Sequence, residues 1–187
     1  MSLIGPPALL EDGWLPEVQA LADALLERGW MLAAAESCTG GLLAAACTAL
    51  AGSSHWFERG FVTYSNAAKE EALGVAQALL QAHCAVSEPV ARAMAKGALA
   101  RSQAHLALAV TGIAGPGGAV PGKPVGTVWL AWSVRAAPAP PGPGGAPAAL
   151  EAVTGARLLQ LEGDRTQVRA HTVQHALRQA LLLARGA

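Results

Sequence analysis

The sequence predicts an α/β fold, a three-layer α/β/α domain with a mixed sheet, and three observations carry that expectation. Two short, wholly apolar runs, residues 30–35 (WMLAAA) and 105–111 (HLALAVT, apolar between its end residues), have the length and content of buried strands. Each run leads into a glycine-containing turn, ESCTGG after the first and GIAGPGG after the second. Between and around them lie stretches of helical periodicity, and strands that alternate with helices place helices on both faces of a sheet. With 187 residues, 52% of them apolar, the chain can bury one core, so residues 1–187 are expected as one domain.

The elements follow in order. From residue 15 to 28, Val18, Leu21, Ala22, Leu25 and Leu26 mark one helical face, and Gly29 closes it. Residues 1–13 before it are expected as a flexible N-terminus. Residues 30–35 are the first strand, and residues 42–50, beyond the polar turn, read as a helix. The segment FERGFVTY, residues 57–64, has the aromatic and β-branched content of a strand. Asn66 is placed to cap a helix running through Lys69 to Leu73. Ser87, with Pro89 just inside, opens a further helix ending near Ser102.

Residues 105–111 and 125–135 are strands, the second by its Val, Trp and Thr content. Residues 136–149, containing APAPPGPGGAP, form a low-complexity loop insert with too few side chains to pack a core. Residues 157–161 return as a strand, and Asp164 with Gln167 resembles a capping box that opens a last helix to Arg185.

Composition narrows the function. Formal net charge is zero, only 14% of residues are charged, and Lys and Arg form no run. A nucleic-acid partner is therefore not expected, and a small ligand bound through one or two focused charges is. The first ten residues lack a basic start, and Gly5, Pro6 and Pro7 interrupt them, so no secretory leader is read there. No apolar stretch of membrane-spanning length is free of Gly, Pro or charge. Cys38, Cys47 and Cys84 make an odd count without CxxC spacing, which suits a reduced, cytoplasmic protein. A small apolar chain with a helical exterior is also compatible with a homodimer.

In open α/β sheets, ligands collect beyond the carboxyl ends of the strands. Two turns stand out there, 36–41 and 112–118, each exposing backbone N–H groups. Ser37 stands where a buried strand gives way to a helix, whose free N–H groups suit an oxyanion or a phosphate. The turn chemistry is equally met if Ser37 or Thr39 only caps that helix. As a nucleophile, Ser37 needs a base. His55, in SSHW, is the nearest histidine in sequence, and Lys69, in TYSNAAK, is the other candidate. A lysine serves as a base when desolvation or a nearby cation lowers its pKa, and Tyr64 is placed to relay or orient the proton. Otherwise Lys69 is a solvated residue beside Glu70 and Glu71.

Other patterns fail on their details. GGAVPGK, residues 117–123, matches the start of a phosphate-binding loop, but Pro124 replaces the required Ser or Thr and a strand follows. Tyr64 and Lys69 lie one residue too far apart for the short-chain dehydrogenase pair, and GxGxxG is missing near the start. His171 and His175 are four apart on the last helix, without the HExxH glutamate or a third ligand, so no metal site is assigned. Cys38 has no basic neighbour in sequence and is expected as a buried small hydrophobe. Arg165 and Arg169 oppose the dipole at a helix start, which a bound phosphate or solvent exposure would make tolerable.

Taken together, AESCTGG, AGSSHWFERGFVTYSNAAKEEALGV, AVSEPVARAMAKGAL, TGIAGPGG, KPVGTVWLAW and GDRTQVR resemble the CinA C-terminal domain family, over about residues 15–183 and in order. The likeness is to its stand-alone branch of nicotinamide-nucleotide amidases. Membership implies hydrolysis of nicotinamide mononucleotide to nicotinate mononucleotide and ammonia, with no metal and no cofactor. It also implies Ser37 as nucleophile and Lys69 as its base partner, with Tyr64 beside it. Thr39, Gly40, Gly41, Thr111, Gly112 and Arg165 become the expected substrate-binding residues, Arg165 either holding the phosphate or keeping Lys69 neutral. Some members are known only through competence or DNA-damage responses, so a nucleotide-binding regulatory role is the alternative.

Overall fold

The apolar run after Gly29 forms the central strand β1 (Leu32–Glu36), buried throughout, in a computed structural model that describes residues 13–135 and 152–186. Strand β1 pairs in parallel with β2 (Phe57–Val62) on one side and β3 (Leu106–Gly112) on the other. Strand β4 (Thr127–Arg135) runs antiparallel to β3, and β5 (Ala152–Gln160) antiparallel to β4. The result is a mixed five-stranded sheet of order β2-β1-β3-β4-β5.

Alternation along the strands sorts the two faces by size. Leu32 and Ala34 of β1, with Leu106, Leu108 and Val110 of β3, face α1 (Leu15–Glu27), α2 (Leu42–Thr48) and α6 (Arg165–Arg185). On the opposite face Ala33, Ala35, Ala107 and Ala109 leave a shallow surface under α5 (Glu88–Ala100). The helices α3 (Asn66–Leu73) and α4 (Gln77–His83) complete that layer through Leu73 and Leu80. These are the three layers expected.

The differences are local. Helix α4 was not expected, because only Leu80 of its seven residues is buried and the segment has no helical face to read. Strand β5 starts at Ala152, not at residue 157, since Gly155 in its middle breaks the strand pattern. The Trp132 ring of β4 lies over the space a side chain there would need. Ser65, not Asn66, caps α3, its hydroxyl accepting the Ala68 N–H at 3.0 Å. The capping box of Asp164 and Gln167 opens α6 as expected. The loop insert at 136–149 and residues 1–12 of the expected N-terminus lie outside the described residues. Among the described residues, no helix is long and apolar enough to cross a membrane.

Candidate active site

The chain leaves β1 toward β2 on one side and returns to β3 on the other, so the two crossovers diverge at the carboxyl end of β1. That divergence opens a crevice where α/β sheets bind ligands. Because β5 is antiparallel to β4 and β4 to β3, β5 delivers the start of α6 to the same edge. Ser37, Lys69 and Arg165 follow strands that end there, and Thr111 is the penultimate residue of β3.

Ser37 comes directly after β1, its N–H bonded to the Val110 carbonyl of β3 at 3.0 Å. The chain then turns through Gly40 and Gly41, at φ +59° and +95°, a left-handed conformation open chiefly to glycine. The Gly40 N–H returns to the Ser37 carbonyl at 3.1 Å. The start of α2 is not open to a ligand, contrary to the expectation from sequence. The carboxylate of Glu36, fully buried, accepts the N–H groups of Gly41 (3.0 Å), Leu43 (3.0 Å) and Ala44 (2.8 Å). A buried carboxylate thus fills the positive end of the helix dipole from within.

Lys69 is brought in by α3, which follows β2. Its side chain is 1% exposed, and Nζ lies 3.1 Å from Ser37 Oγ. Nζ also donates to the carbonyl of Thr63 at 2.8 Å, with the Ser65 carbonyl at 3.5 Å. The Thr63 carbonyl lies outside the sheet because β2 stops at Val62, two residues earlier than read from sequence, and the Ser65 carbonyl also accepts the Lys69 backbone N–H at 3.2 Å. Among the described residues Lys69 has no carboxylate partner at salt-bridge distance. Burial therefore pushes its pKa below the ordinary amine value, opposed only by a thiolate charge on Cys38. That opposition is weak at neutral pH, because burial raises the Cys38 thiol to about 12 and keeps it protonated.

The remaining expected residues are placed as follows. Tyr64 is 59% exposed, and its hydroxyl accepts from Arg165 Nη2 at 2.8 Å; no hydrogen bond joins it to Lys69. Arg165 also donates to the Gly115 carbonyl at 2.9 Å, beside a cavity of about 300 Å³ lined by Ala114, Gly115, Pro116, Val125 and Asp164. The Thr111 hydroxyl is buried and donates to the Ala85 carbonyl at 3.0 Å, and Gly112 packs against Val128. Thr39 is buried, with its carbonyl held by Arg169 Nη2 at 2.7 Å. The Gly40 and Gly41 N–H groups are both engaged inside the turn.

His55 is exposed in a 3₁₀ turn (Ser53–His55) before β2, at the opposite edge of the sheet from Ser37. His175 lies on α6, its pKa lowered by burial and by Arg157, Arg178 and His171. Among the described residues, no group of three or more His, Cys, Asp or Glu is gathered as metal ligands. Sequence reasoning passed over Glu36, reading it as part of a polar turn. An acidic residue six positions before a helix start was the available signal. Arg169 was noticed as a cation at a helix start, without the Thr39 contact that explains it.

Comparison with known proteins bears on the family and the fold. Residues 16–140 match the family model described as the CinA C-terminal domain. A relative from Symbiobacterium thermophilum is 55% identical over 159 residues, 85% of this chain, which spans only 36% of that relative's length. Nicotinamide-nucleotide amidohydrolase PncC of Escherichia coli (strain K12) is 46% identical over 159 residues, covering 85% of this chain and 87% of its own. The crystal structure of the competence/damage inducible protein CihA from Agrobacterium tumefaciens superposes with a TM-score of 0.79 at 41% identity, over 98% of this chain and 99% of that one. Motifs, fold and comparisons lead to one conclusion: the chain belongs to the CinA C-terminal domain family.

Proposed function

We propose that the chain is a nicotinamide-nucleotide amidase, hydrolysing nicotinamide mononucleotide to nicotinate mononucleotide and ammonia, with Ser37 as nucleophile and Lys69 as its base. One observation carries the reading: a buried lysine, without a counter-ion among the described residues, 3.1 Å from a serine hydroxyl at the crevice of the sheet. A neutral amine has two N–H donors and one lone pair. The carbonyls of Thr63 and Ser65 take the donors, which leaves the lone pair for the Ser37 O–H.

In the first half-reaction Ser37 Oγ attacks the carboxamide carbon as its proton passes to Lys69 Nζ, and the carbonyl π pair moves onto oxygen. Collapse breaks the C–N bond, the Lys69 proton goes to the leaving nitrogen, and ammonia departs. Water then adds to the ester carbon, losing a proton to Lys69, and Ser37 Oγ leaves as that proton returns to it, giving the acid and restoring the neutral amine. Acyl transfer of this kind asks of the protein a positioned base and oxyanion donors, and no cofactor. Arg165 and the adjoining cavity suit the substrate phosphate, since the lowered Lys69 pKa has burial as its cause and needs no help from Arg165. Tyr64, joined to Arg165, serves in binding here and not in proton relay. Three free cysteines fit a reduced, cytoplasmic setting.

The test is ammonia release from nicotinamide mononucleotide by the purified chain and by Ser37→Ala. The wild type releases ammonia, and the variant loses several orders of magnitude in rate while keeping its fold. Nucleotide binding without turnover in the wild type would instead make the chain a binding module, and a dead Cys38→Ala beside an active Ser37→Ala would overturn the serine assignment.

A further inference from the structure

We infer that the oxyanion formed at Ser37 is held by the backbone N–H groups of Cys38 and Thr39, and that Arg169 is the positioning residue that keeps them aimed. The inference rests on the amidase reading for its substrate, and on hydrogen-bond accounting for its atoms.

Every other N–H at the turn has an acceptor. Ser37 N–H goes to Val110, Gly40 N–H to Ser37, and Leu42 N–H to Thr39. Those of Gly41, Leu43 and Ala44 go to Glu36. Cys38 and Thr39 are left, the first two peptide N–H groups after the nucleophile, and neither has an acceptor among the described residues. Buried N–H groups are seldom left unpaired, and two in succession beside a nucleophile form a concavity suited to an anion.

Their direction depends on the peptide that follows. Arg169 reaches from the second turn of α6 and donates Nη2 to the Thr39 carbonyl at 2.7 Å. Two buried side-chain atoms lack a partner among the described residues, Arg169 Nε and Thr39 Oγ1, one on each of the two residues this contact joins. Unpaired buried polar atoms are costly, and their concentration here means the Thr39 carbonyl is held at the expense of the groups around it. A direct contact between Arg169 Nε and substrate does not fit, because that atom is sealed from solvent while Nη2 is engaged. The guanidinium charge also reaches the Cys38 side chain, where it favours negative charge. An oxyanion at the Cys38 N–H would experience the same sign.

The experiment uses the full chain as wild type, Arg169→Met, Arg169→Lys and Ser37→Ala, each checked for folding by circular dichroism. Two rates are read: ammonia release from nicotinamide mononucleotide, and phosphonylation of Ser37 by an alkyl fluorophosphonate, located by mass spectrometry. In the second reaction the Oγ–P bond forms, the P–F bond breaks with fluoride leaving, and the hydroxyl proton passes to Lys69. The phosphoryl oxygen then occupies the oxyanion position. In Arg169→Met both rates are expected to fall about 100-fold, as for loss of one oxyanion donor. KM is expected to stay within about twofold, with the acid limb of the pH profile unmoved. Arg169→Lys, which keeps a donor and a charge but not the planar fork, is expected to recover part of both rates.

Wild-type rates in Arg169→Met, or a raised KM at normal kcat, would overturn the inference, the second by making Arg169 a substrate contact. If Arg169→Met does not fold, Arg169→Lys decides: a reduced kcat in a folded protein supports the inference, and a wild-type kcat overturns it. Labelling of wild-type Ser37 without ammonia release overturns the amidase reading alone, and the labelling rates still judge Arg169. A wild type that is not labelled at Ser37 overturns the oxyanion assignment itself.

Discussion

Lys69 is held where water does not reach its amine and where, among the described residues, no carboxylate balances a charge, so the proton is the component the fold disfavours. The folded pKa therefore lies below the ordinary value near 10.4. As pH falls from that value, the unfolded chain takes up a proton before the folded chain does. Stability is lost over the window between the free and the lowered pKa, and below it the penalty is complete. Lys69→Met removes this dependence. Its stability relative to wild type is expected to be highest at pH 7 and to decline toward pH 10, read from denaturant midpoints. Activity has the same origin: the rate of the wild type is expected to drop on the acid side as Lys69 charges. Lys69→Arg, unable to deprotonate, is expected to be as inactive as Lys69→Ala. Substantial activity in the arginine variant, or a stability difference that ignores pH, would remove Lys69 from the mechanism.

At the scale of elements, the start of α2 is a helix end closed by its own chain. The sequence made the turn legible as a strand-to-helix junction with a serine, but not which donors it kept. An acidic side chain before a helix can point to solvent or back to the N–H groups, and only the path through Gly40 and Gly41 decides this. Asn66 and Ser65 illustrate the same limit, since both are good capping residues one position apart and the end of β2 chooses between them. The seven-residue α4 was hidden for a different reason, with Leu80 as its one buried residue. Glu36→Gln tests the closed helix end. The amide keeps one acceptor oxygen, loses the charge, and turns an NH₂ group toward backbone donors, leaving at least one N–H unpaired in a buried site. A loss of about 1–3 kcal/mol is expected in chemical denaturation, with kcat falling because the turn shifts. Unchanged stability would mean that the three N–H groups find other partners.

For the whole molecule, strand order was the part that sequence reasoning could not supply. Ser37 and Lys69 are 32 residues apart and meet because β1 and β2 are adjacent and parallel, so the segments that follow them leave from one edge. His55 is nearer to Ser37 in sequence, yet it precedes β2 and so stands at the other edge. The two hydrophobic runs gave away the central strands, because burial on both faces removes polar residues. The edge strands β2 and β5 were less legible in extent, having solvent on one side and mixed patterns. Parallel geometry also bears on metals. It gathers serine, lysine, threonine and arginine at the crevice, while His171 and His175 ride on α6 without a third ligand nearby among the described residues. In the proposed mechanism Lys69 is the base, and no step at Ser37 asks for a Lewis acid. Activity is therefore expected to survive exhaustive treatment with EDTA followed by gel filtration, with kcat within about twofold of the untreated enzyme. The corresponding control is His171→Ala with His175→Ala, expected to leave kcat unchanged. Loss of activity on chelation that zinc restores, together with a dead histidine double variant, would move the chemistry from the Ser37–Lys69 pair to the surface of α6.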